Sequence, residues 1–224
     1  MSRHQPHARP MAERNSALVA LTLVPLIAGS PRLLEITGGP QILPGNPRID
    51  ALPAPVVVHI IAAALYALLG AFQFSTRLRR LRPNWHRRSG RTLIGAGMLV
   101  ALSGLWMTLF YTGAPGGDVL WAVRLLVGTA MAATIVLGFT AIRRRDIAAH
   151  RAWMIRAYAL AVAAGTQAFT QGIGEGLLRD QRAEHCGLGQ LWIINAAVAE
   201  WVIRRASTRR ARPARTRAAL VGSR

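Results

Sequence analysis

Two histidines of this 224-residue chain stand in closely similar settings. His86 opens the run His86, Arg87, Arg88, Ser89, Gly90, Arg91, and His150 opens a second basic run that includes Arg151, Trp153 and Arg156. Imidazoles on two different helices can clamp a haem iron from either face, provided each ring gives one nitrogen to the metal and finds a partner for the other. Asp146, one turn before His150, is a candidate for that partner. A b-type haem held by His86 and His150, used for electron transfer, is therefore one chemistry the chain offers. Against it, both histidines are ringed by arginine and lie near water, whereas haem ligands in membrane bundles lie within the apolar span. The same residues have two other uses. Helix starts favour anions, and Arg87, Arg88, Arg91, Arg151 and Arg156 add guanidinium forks suited to phosphate, with anionic lipid headgroups the nearest candidates. The plainer use is anchoring at a membrane edge, with Trp85 and Trp153 in the interface. Anchoring leaves Glu200 unexplained, and an arginine at its level, Arg91 or Arg156, would pair with it.

A second constellation lies in the apolar parts of the chain, where an ionisable residue is by default a functional candidate. Arg32, Glu35, His59, Arg124 and Glu175 all fall in the outer third of predicted helices. Arg32 and Glu35 are three apart, on one helix face. Gln167, Gln171 and Glu175 recur every four residues, and His59, Tyr66 and Gln73 every seven, so each set draws a polar stripe along one face. Facing inward, these stripes would line an outward-open polar cavity that binds or conducts a small solute, ion or proton. The alternative is structural: arginines near a boundary snorkel to water, and polar stripes also join helices by hydrogen bonds. Gly97, Ala101, Gly104, Gly128 and Ala132 permit close helix approach without any ligand. Other chemistry is missing. With 28 arginines and no lysine there is no phosphate-binding loop ending in Lys; nor is there a His-Glu-x-x-His zinc motif or a Gly-x-Ser-x-Gly elbow. The lone Cys186 excludes an intrachain disulfide framework and a cysteine metal cage. A non-enzymatic role is the expectation.

The elements that must position these groups follow from where charge is absent. Residues 51–76 and 92–117 contain no Asp, Glu, Lys or Arg, and about 20 apolar residues of helix cross a hydrocarbon core. Backbone groups in lipid must bond internally, and unbroken rather than alternating apolar runs select helices over a barrel. The pattern predicts an all-α, polytopic integral membrane protein, a six-helix up-down bundle over 16–204. Its helices fall at about 16–36, 55–75, 92–111, 119–142, 152–178 and 188–203. A basic tail, 1–15, precedes it and an Arg-rich tail, 205–224, expected to be disordered, follows. The first stretch has the outline of a signal peptide, but Pro31 follows Ala28, Gly29 and Ser30, which disfavours cleavage; an uncleaved helix, kinked at Pro25, is expected.

Arginine bias sets orientation. The amino-terminal tail, the second-to-third linker, the fourth-to-fifth region and the carboxyl-terminal tail hold 23 of the 28 arginines. Both termini are accordingly expected in the cytoplasm and the protein in the plasma (inner) membrane. A net charge of +19 could signal nucleic acid, but a DNA-binding surface gathers its arginines on one face, whereas these punctuate every second apolar segment. Anionic headgroups are the expected partner. The sequence does not specify an oligomer or partner subunit.

Five segments carry a family resemblance: Arg32 to Glu35, Gly70 to Ser75, Trp85 to Arg91, Ala149 to Arg156, and Ala199 to Arg205. In them the chain resembles the bacterial predicted membrane proteins of domain of unknown function 2306, from about the first helix to the last. The resemblance implies a multi-helix membrane protein and supplies no reaction, substrate or cofactor.

Overall fold

The computed structural model describes residues 23, 26–27, 29–43, 45–111, 117–177, 200–201 and 204, with only the backbone of 164–177. Among these the structure is all helical. Residues 29–36 form α1, followed by α2 (Pro47–Ala51), α3 (Ala54–Gln73), α4 (Thr76–Leu81), α5 (Pro83–Phe110), α6 (Gly117–Arg143) and α7 (Ile147–Leu177). Residues 200, 201 and 204 are also helical. Three helices, α3, α5 and α6, are long and apolar enough to cross a membrane. At 31 residues α7 is longer than any of them, about 46 Å at 1.5 Å per residue. The expected cleavage point, the predicted kink at Pro25, both tails and most of the sixth helix lie outside the described residues, so the six-helix count extends beyond what is described.

Helix ends explain the differences from expectation. Helix α5 starts nine residues before the predicted 92, because Pro83 suits the first helical turn and arginine is a good helix former. Loss of charge marks the start of an apolar stretch, not of a helix. The unpredicted α4 begins where the Ser75 side chain accepts from Leu78 N–H at 3.3 Å, an N-cap. Helix α1 closes on Gly38 at φ +91°, with Gly39 N–H donating to Leu34 C=O at 2.9 Å. Arg145, at φ +62°, closes α6 in the same way, with Asp146 N–H donating to Ala141 C=O at 2.9 Å. Both are left-handed helix stops, and the second folds α6 directly back onto α7.

Helix α3 packs on α5, α5 on α6 and α6 on α7, and α3 also meets α7, closing a ring of four helices. The core between them holds Tyr66, Val100, Ala101, Met131, Ile135, Ala157 and Tyr158. Two glycines let the rings in: a Cβ on Gly97 would stand 2.7 Å from the Tyr66 ring, and one on Gly70 would run into the ring of Tyr158. The outer faces are apolar, with Leu102, Phe110 and Leu126 more than half exposed, as lipid contact requires.

Candidate functional site

The polar groups gather at two ends. The basic end is where α3 finishes and α5 and α7 begin. There Gln73, on the last turn of α3, donates through its amide to the His86 carbonyl at 3.2 Å and to the Ser89 hydroxyl. Ser89, buried on α5, passes its own hydrogen to Trp85 C=O at 2.7 Å. On α7, His150 Nδ1 meets the Gly138 carbonyl of α6 at 2.8 Å. A carbonyl only accepts, so Nδ1 carries the proton, and in the neutral ring the lone pair is left on Nε2. Gly138 makes this approach feasible, since the Cβ of Trp153 lies 3.3 Å from where a side chain would begin.

His86, on the basic turns before the apolar stretch of α5, has a ring with no hydrogen-bond partner among the described residues. Burial, then the charges of Arg79 and His150, hold its pKa below the usual imidazole value. His86 is thus biased toward the neutral form that binds metals.

The partner of the His150 ring is the Gly138 carbonyl and not Asp146. Asp146 instead accepts from Ala149 N–H at 2.9 Å, capping α7. Arg156 stacks over Trp153 at 4.8 Å and donates to Glu200 at 2.8 Å. Glu200 also accepts from Arg204 at 3.1 Å. Arg87, Arg88, Arg91 and Arg151 are exposed and Gly90 is half-buried.

The opposite end is organised differently. Arg32 donates to Glu35 Oε2 at 2.8 Å, while Glu35 Oε1 takes the backbone N–H groups of Ile42, at 2.7 Å, and Leu43. Both oxygens of Glu35 are therefore engaged, Oε2 within α1 and Oε1 in fastening the loop after it. His59 Nδ1 lies 2.9 Å from Ser103 Oγ, which gives its own hydrogen to α5 carbonyls. The ring therefore donates to the serine, and a Cβ on Gly104 would stand 3.4 Å from the imidazole. Arg124 is half-buried on α6. The side chains of Gln167, Gln171 and Glu175 lie outside the described residues. The described contacts do not link Arg32 and Glu35 with His59.

Sequence reasoning passed over Ser89, Ser103, Gly138 and Arg79. Ser103 carried a signal, as a hydroxyl within an apolar helix at the level of His59. Gly138 carried none, because its use depends on how closely α6 and α7 approach.

A family model described as Predicted membrane protein (DUF2306) matches residues 56–203. The chain belongs to this family. The matched region contains both histidine runs, the α3 stripe and Glu200, so the DUF2306 segment includes the whole basic-end network except Arg204. Neither the curated proteins nor the solved structures contained a match to the chain.

Proposed function

We propose that this DUF2306 protein is a membrane electron-transfer protein that holds a b-type haem between His86 and His150, with its basic end toward the cytoplasm. The observation that carries the reading is the bond from His150 Nδ1–H to the Gly138 carbonyl. A ligating histidine needs that partner for its second nitrogen. His86 brings a ring with no hydrogen-bond partner among the described residues. Two imidazoles match a haem, whose porphyrin supplies the other four donors. Structural zinc needs four protein ligands, and among the described residues no group of three His, Cys, Asp or Glu stands together. When bound, the haem would supply one-electron chemistry. The chain's own part is to orient His150 through Gly138, to keep His86 neutral, and to place arginines where carboxylate groups of the ligand could pair with them.

The test is a visible spectrum of the protein purified in detergent. The expected result is an intense Soret band that shifts on reduction with dithionite and disappears in His150→Ala, with helicity kept in circular dichroism. A colourless, fully helical wild-type protein grown with added haem precursor would overturn the reading.

A second reading rests on Arg124, half-buried on α6, and on His59, joined to Ser103 across α3 and α5. A guanidinium and an imidazole at the opposite end suit a small anion, and an outward-facing polar cavity for a solute, ion or proton would use Arg124 and His59, with Gln171 and Glu175 from α7. Glu35 would serve it only as scaffold. Chloride flux into proteoliposomes should then fall at least tenfold in Arg124→Gln, and flux no greater than in protein-free vesicles would exclude a chloride path.

A further inference from the structure

Residues 51–117 carry seven arginines, all between Arg77 and Arg91, and not one carboxylate. The three ion pairs of the described residues, Arg32–Glu35, Arg156–Glu200 and Arg204–Glu200, involve none of these seven. Arg77, Arg79, Arg80, Arg82, Arg87, Arg88 and Arg91 are all exposed. This is a dense positive surface with no counter-charge paired to it among the described residues.

The local geometry says which kind of molecule suits it. Helix α4 is joined to α3 by Phe74 and Ser75 and to α5 by Arg82 alone, so it lies at the level where two candidate spans end. Leu78 and Leu81 are three apart and share one face. Leu78 is half-buried, whereas Leu81 is 66% exposed. Arg79 and Arg80 fall on the other side of the turn, and the charge of Arg79 reaches His86. A short helix with an exposed leucine beside unpaired guanidiniums fits the boundary between acyl chains and phosphates.

We propose that α4 and the first turns of α5 bind the headgroup phosphate of an anionic phospholipid, with Arg79, Arg80 and Arg82 as the phosphate forks and Leu81 against the acyl chain. Guanidinium meets phosphate through paired N–H donors, and the leucine distinguishes a lipid from free phosphate or an acidic protein surface. This site does not depend on whether haem is bound.

The test uses the full chain purified in dodecyl maltoside. Native mass spectrometry counts retained lipid, and thermal unfolding is followed by tryptophan fluorescence, with dioleoyl phosphatidylglycerol, dioleoyl phosphatidylcholine or inorganic phosphate added. Phosphatidylglycerol should be retained and should raise the unfolding midpoint by about 2–4 °C. Phosphatidylcholine and inorganic phosphate should not. The double variant Arg79→Gln, Arg80→Gln should lose both responses, and the control Arg143→Gln, Arg144→Gln, at the turn after α6, should keep them. Leu81→Gln should weaken retention of phosphatidylglycerol at least threefold. Equal responses to the two lipids, a full response to inorganic phosphate, or a response that survives in the α4 double variant would each overturn the proposal. So would equal loss in the control, which would mean a diffuse belt of charge in place of a site.

Discussion

The carboxylates at the two ends of the bundle, Glu35 and Glu200, are satisfied by different means. At the end opposite the basic one, Glu35 is consumed within its own stretch of chain, by Arg32, Ile42 and Leu43. At the basic end the bonds run between helices: α3 to α5 through Gln73, α7 to α6 through His150, and α7 to the last helical stretch through Arg156 and Glu200. A group satisfied by near neighbours in sequence needs no partner helix and fixes only a loop. A group satisfied from another helix fixes the spacing of the two. The positions of His86 and His150 are therefore set by tertiary packing. His59, joined to Ser103 across α3 and α5, is the counterpart at the other end.

That contrast breaks most visibly at glycines. Gly138 lies against Trp153 Cβ and the end of the Met154 side chain, whereas Gly104 has only ordinary contact with His59. Gly138→Val should push α7 from α6 and strain a packed core, costing about 1–3 kcal/mol in unfolding experiments in detergent. It should also lengthen the bond from His150 to Gly138 and so remove any Soret absorbance. Gly104→Ala should be neutral or stabilise by up to about 1 kcal/mol through helix propensity. Equal costs at the two positions would show that the ends do not differ in how tightly their helices are set.

Charge patterning made the elements legible further than it did the sites. The uncharged run from residue 51 to 76 marks α3 at 54–73 almost to its ends, since in lipid a helix must be apolar for its whole crossing. It misplaces the start of α5, since Arg87, Arg88 and Arg91 are helical yet outside the apolar stretch. The spacing of Arg32 and Glu35 is readable as one helix face; the hold of Glu35 on Ile42 and Leu43 is not, because it depends on the path of a loop. For His150, the neighbouring Asp146 is the obvious partner by sequence distance. The left-handed turn at Arg145 carries α7 back along α6 and brings in the Gly138 carbonyl, 12 residues away, while Asp146 is taken by the helix start. Sequence spacing thus finds partners within a turn and misses those that a chain reversal brings.

The smallest effect lies midway between the ends, in two buried tyrosines 6.0 Å apart. Tyr158 donates across the bundle to Ala67 C=O at 3.2 Å. The Tyr66 hydroxyl, 5% exposed as a residue, has no hydrogen-bond partner among the described residues. Removing a bonded hydroxyl costs about 1 kcal/mol, whereas removing a buried unbonded one relieves a desolvation penalty. Tyr158→Phe should therefore destabilise by about 0.5–1.5 kcal/mol, while Tyr66→Phe should leave the unfolding midpoint unchanged or raise it slightly. If Tyr66→Phe is the costlier of the two, the phenol is bonded in the membrane, to a water or ligand inside the helix ring. The core between the two ends would then be a polar passage instead of the dry partition that separates a locally fastened end from one built across helices.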